Sequence, residues 1–151
     1  MKKELSEDEQ FNLFGCGSRC IIKLAELHNK PVSRQEFIDR FRDLFPLNHI
    51  GLTNTAEQIE MAKGLGLCRT ACAFRIREYV VDEYVSRRTS GVFLLTDRNE
   101  ESAHLFHCRL VLGVTANHVR LFSPFQDGSD LELDTTWSDL EIQEPHFLVF
   151  R

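Results

Sequence analysis

The stretch Glu9-Gln10-Phe11-Asn12-Leu13-Phe14-Gly15-Cys16-Gly17-Ser18-Arg19-Cys20-Ile21-Ile22-Lys23-Leu24-Ala25 places a cysteine between two glycines, directly ahead of a run with apolar residues at Ile21, Leu24, Ala25 and Leu27. That spacing is helical and predicts a helix over residues 16–28, with Cys16 in or just before its first turn. Unpaired amide N–H groups and the positive end of a helix dipole favour a thiolate over a thiol at such a place. Gly15 and Gly17 let a second backbone, or a substrate, come close to the sulfur. Gln10, upstream, is placed to donate its side-chain N–H to an oxyanion. The chemistry indicated is nucleophilic attack by Cys16.

The rest of the chain sets bounds on that chemistry. With 151 residues it suits one domain with a real core, residues 10–151, after a charged and weakly structured segment of residues 1–9. A net charge of -5 argues against a nucleic-acid binder that works through phosphate contacts. No apolar run is long enough for a bilayer, and the polar start lacks the apolar centre of a signal peptide. Five cysteines without a compact framework spacing fit reduced thiols in the cytoplasm better than structural disulfides.

Downstream of Pro31, Ser33-Arg34-Gln35-Glu36 reads as a capping box for a second helix, with Phe37, Ile38, Phe41, Leu44 and Phe45 as its apolar stripe. Thr55-Ala56-Glu57-Gln58 reads as another, opening a third helix that Gly64 and Gly66 close. After that the pattern changes. Residues 68–76 suit a strand, 77–88 a short helix, and 91–96 a buried strand. Residues 105–114 and 118–122 form a hairpin around Thr115-Ala116-Asn117, and 130–133 and 145–150 are further strands. Helices come first and an antiparallel sheet follows, an α+β arrangement. Alternation along the hairpin puts His107 on the face of Arg109 and Val111, opposite Phe106, Cys108, Leu110 and Leu112.

Gln10 and Cys16-Gly17, with Cys20 and a small apolar helix behind, resemble the papain-like peptidases that remove double-glycine leaders from bacteriocins. Residues 57–67 (EQIEMAKGLGL) are similar to that family's third helix, residues 91–96 to the strand before its histidine, and Phe106-His107-Cys108-Arg109-Leu110-Val111 to the histidine-led strand. The family ends the next strand in Asp-Pro; the matching step from His107 falls on Ser123-Pro124. The likeness spans roughly residues 10–125 and implies a papain-like fold, an N-terminal helical part followed by an antiparallel sheet.

The activity implied is hydrolysis at an amide: peptide cleavage or glutamine deamidation, as in bacterial effectors, both through an acyl-enzyme thioester. Cys16 is the nucleophile and His107 the base, with His104 its competitor. Ser123 orients the imidazole, or Asp127 does if its loop folds back. Gln10 and the Cys16 backbone N–H hold the oxyanion. No cofactor is required, and the partner is a protein or peptide substrate rather than nucleic acid or membrane. The expected setting is the cytoplasm, or delivery by a secretion system that needs no signal peptide.

Two other readings stand beside this one. Ser123 carries no charge where the likeness calls for a carboxylate, which suits a catalytically impaired pseudo-peptidase that holds a peptide in its cleft. The pairs Cys16/Cys20 and Cys68/Cys72, with His104, His107 and Cys108, suit a zinc-stabilised interaction domain, although their spacing is longer than the usual zinc knuckle.

Overall fold

In the computed structural model, which describes residues 4–86, 88–97 and 106–151, Ser6 and Glu9 form a reciprocal capping box that opens α1 (Glu7–Phe14). The charged residues 7–9 are thus helical, because each side chain satisfies a backbone donor of the first turn. Gly15 (φ -96°, ψ 29°) breaks the helix, and α2 (Cys16–Leu27) starts at once. Ser33 caps α3 (Arg34–Phe41), which tightens into a 3-10 turn (Arg42–Leu44) ahead of Pro46. The cap of α4 (Thr55–Gly64) is Asn54, one residue before the expected threonine; its side chain accepts from the Glu57 N–H at 2.8 Å.

Among the described residues six strands follow: β1 (Ala71–Phe74), β2 (Gly91–Asp97), β3 (Phe106–Val114), β4 (His118–Pro124), β5 (Asp130–Thr136) and β6 (His146–Phe150). They form one antiparallel sheet in the order β1-β6-β2-β3-β4-β5. The helices are not confined to the N-terminal part: α5 (Arg77–Val85) follows β1, and α6 (Trp137–Glu141), which the sequence pattern did not suggest, lies between β5 and β6.

The sheet is covered on both faces. Cys20, Ile21, Leu24 and Ala25 of α2 pack with Phe93, Cys108, Leu110 and Leu148 on one face. Val80 of α5 and Trp137 and Leu140 of α6 pack with Leu94, Val111, Leu121 and Phe147 on the other. This is why Val92–Leu95 and Phe147–Phe150 are apolar without interruption: alternate residues enter different cores. Complete burial of Ile21 or Leu24 stabilises the packing of α2 by about 1.5–3 kcal/mol each. No helix among the described residues is long and apolar enough to cross a membrane.

Candidate active site

Contacts at three places along α2 orient it across the sheet. At its C-terminal end, Leu24 fills the space over Gly91, and His28 Nε2 lies 2.6 Å from the Ser90 carbonyl. In its middle, the Cys20 thiol donates to the Cys108 carbonyl at 3.4 Å. Toward its N-terminus, the buried Arg19 donates to the carbonyls of Phe125 (2.5 Å) and Ser129 (2.9 Å) and pairs with Asp130. The first turn of α2, with Cys16, therefore lies at the end of the sheet where β3 begins and β4 finishes. His107 and Ser123 belong to that same end.

Cys16 is the first residue of α2, half-buried and packed against the α2-side core. The N-terminus of α2 has no side-chain cap, but it is not a bare terminus, since α1 leads straight into Gly15. The C-terminal end of α1 opposes the positive end of α2, so the helix dipole favours a thiolate less than an isolated helix would. Gly17 is required by close approach: a Cβ there would overlap the Gln58 amide and the Thr53 hydroxyl. Burial pushes the Cys20 thiol above its ordinary range and the Cys108 thiol well above it.

Gln10 is buried and bonded. Its Oε1 accepts from the Ile50 N–H at 3.0 Å and its Nε2 donates to the Leu5 carbonyl at 2.9 Å. Ser18 Oγ donates to the Gly51 carbonyl at 2.7 Å, so Gln10 and Ser18 together hold the loop that lies against the start of α2. A primary amide carries two N–H groups, and the second on Nε2 remains for another acceptor.

His107 is half-buried, with Nε2 3.4 Å from Ser123 Oγ, a long contact to a serine that is 2% exposed. It pairs across the sheet with Thr96. Thr96 alternates with Leu94, and Ser123 with Leu121, both in the core under α5 and α6. The register therefore sends the His107 side chain off the face opposite Cys108, the face away from α2. Cys16 and His107 share an end of the sheet but start from opposite sides of it. His104 lies outside the described residues. Asp127 turns toward its own loop: its Oδ1 accepts from the Ser129 N–H (2.9 Å) and hydroxyl (2.6 Å), which holds its carboxyl below the usual range.

Among the described residues no three of His, Cys, Asp and Glu gather in a way that would hold a metal ion. Three residues that sequence reasoning did not single out shape this end of the molecule. Arg19 anchors α2 to the loop after β4. Gln58, 4% exposed, donates to Thr53 Oγ1 at 3.2 Å and leaves its own Oε1 without a partner among the described residues. Arg109 lies on the face of His107 and bonds Thr96 Oγ1 at 3.3 Å. An arginine within an apolar helix face and one within an apolar strand were the available signals. Against known proteins, no family profile matches the chain and no curated relative is significantly similar to it.

Proposed function

We propose that the protein is a papain-like cysteine hydrolase that acts on an amide of a peptide or protein, with Cys16 as nucleophile. The observation that supports this reading is the position of Cys16 in the first turn of α2, at the end of the sheet that also carries His107 and Ser123. In the reaction the Cys16 sulfur attacks the carbonyl carbon and its proton passes to an imidazole. The oxyanion is held by the Cys16 N–H and the remaining Gln10 amide proton. The imidazole returns the proton to the leaving amine, or to ammonia if the substrate is a glutamine side chain. Water then hydrolyses the thioester. His107 is the proposed base and Ser123 its orienting partner; reaching the sulfur requires the imidazole to pass round the start of β3. His104 is the alternative base. The proposed setting is the cytoplasm, or that of a protein delivered by a signal-peptide-independent route.

The test is alkylation by iodoacetamide at mildly acidic pH, followed cysteine by cysteine in a mass spectrum. Cys16 should react faster than Cys68 and Cys72 and lose that advantage in the variant that lacks the base. Loss confined to His104→Ala assigns the base to His104; loss confined to His107→Ala assigns it to His107. Equal reactivity of the three thiols in the wild type refutes the nucleophile.

A second reading is favoured by the face that His107 occupies and by the neutral Ser123. It is a pseudo-peptidase that binds a peptide partner without cleaving it. Here Cys16→Ala leaves partner binding intact, no turnover is found, and Ser123→Asp fails to produce any.

A further inference from the structure

Five arginines among the described residues are withdrawn from solvent at least in part: Arg19, Arg34, Arg77, Arg109 and Arg151. Four of them meet carboxylates: Arg19 with Asp130, Arg34 with Asp8, Arg77 with Glu141 and Arg151 with Glu83. Arg109 meets none. Its Nη2 donates to Thr96 Oγ1 at 3.3 Å and to Gln143 Oε1 at 3.0 Å, both neutral acceptors. Its Nε is buried with no partner among the described residues. Burial pushes its pKa down, yet a guanidinium keeps its proton throughout the physiological range. Among the described residues this partly desolvated cation thus has no counter-charge, which is unfavourable unless something else supplies one.

The neighbours are arranged for an anion. The Thr96 hydroxyl accepts from Arg109 and keeps its own proton to donate; the Gln143 amide accepts through Oε1 and keeps its N–H groups. A planar two-oxygen group matches the fork of a guanidinium, and one cation matches one negative charge. Arg109 also lies two positions along β3 from His107 on the same face, about 6–7 Å away along the strand.

We propose that Arg109, Thr96 and Gln143 form a carboxylate-binding seat, which takes an acidic side chain or a free C-terminus of a peptide ligand. The proposal deepens the hydrolase reading by naming a substrate class, and it rests on that reading only for the peptide nature of the ligand.

The experiment titrates the full chain with three peptides and follows the backbone N–H signal of position 109, which wild type and variants share, by 15N NMR at constant ionic strength. One is an alanine tripeptide blocked at both ends, the second the same tripeptide with a free C-terminus, and the third a blocked pentapeptide with a central glutamate. At least one carboxylate peptide should shift the signal saturably, and the blocked tripeptide should not. Whichever carboxylate peptide binds identifies its source. Arg109→Gln should weaken that binding about tenfold or more, the loss of one charge-assisted hydrogen bond. Cys16→Ala should leave it unchanged, so this result stands or falls separately from catalysis. The seat is refuted if neither carboxylate peptide gives a saturable shift in the wild type. It is also refuted if a folded Arg109→Gln or Arg109→Lys chain binds as the wild type does.

Discussion

Cys20 and Cys108 are locked together, the thiol of one donating to the backbone carbonyl of the other at 3.4 Å in the interior beneath α2. This contact sets how far α2 sits along β3. One helical turn before Cys20 comes Cys16, and one residue before Cys108 comes His107. Both buried thiols have raised pKa values, from burial first. Native protein treated with iodoacetamide should therefore carry no label on Cys20 or Cys108. Both should become labelled in denaturant, as peptide mass mapping would show. Label on Cys20 in the native state would mean that α2 does not sit on β3 as described.

Arg19 is the tie between α2 and the loop that follows β4. Arg19→Ala removes a charged donor from two carbonyls and from Asp130, and should destabilise the fold by about 2–4 kcal/mol in urea unfolding. Arg19→Lys should recover only part of this, since an ammonium cannot present a planar fork to three acceptors.

Gly17 and Gln58 share one small space beside Cys16. Gly17→Ala should cost about 1–3 kcal/mol, because the new methyl meets a buried amide. Introduced into a Gln58→Ala chain, the same change should cost distinctly less. A double-mutant cycle by thermal or urea unfolding measures the difference, and strict additivity would place the two residues apart.

Glu83 is buried and paired with Arg151, which donates to it through Nε at 3.2 Å as well as through the ion pair. The hydrogen bond from Arg151 holds the carboxyl below its ordinary range. The unfolded chain therefore takes up a proton near pH 4.3, about the value of a free glutamate, before the folded chain does. The stability that this pair contributes is complete above that pH and falls as acid is added through the lower, folded value. Glu83→Gln should be less stable than the wild type at pH 7, and the gap should narrow as the pH falls to 3. Urea midpoints at the two values check it.

Much of the fold was legible because periodicity is a local property. The apolar spacing of Ile21, Leu24 and Ala25 gave α2, and Ser33 gave the start of α3. The alternation of His107 against Cys108 gave the two faces of β3. The misses have local causes too. Ser6 and Glu9 sit in a run of charge that hides a capping box, and Asn54 competes with Thr55 for the same helix start. Helix α6 is too short to show a period, and Trp137 alone marks it. The site was legible as residue types but not as a constellation. No spacing reveals that Gln10 binds Ile50 or that Asp127 bends to Ser129. Nor does it reveal that Arg109, among the described residues, lacks the carboxylate its counterparts have. Those outcomes depend on groups brought together from distant parts of the chain.

The place of β6 between β1 and β2 has a consequence for synthesis. While the ribosome still shelters Phe147 to Phe150, β2 presents an open edge and β1 has no neighbour to pair with. Helices α1 to α4 can form as they emerge, but the nascent chain remains a sticky intermediate until the end of β6 clears the exit tunnel. A chain that stops within β6 would therefore leave β1 unpaired and the edge of β2 open, and become a substrate for chaperones and proteases.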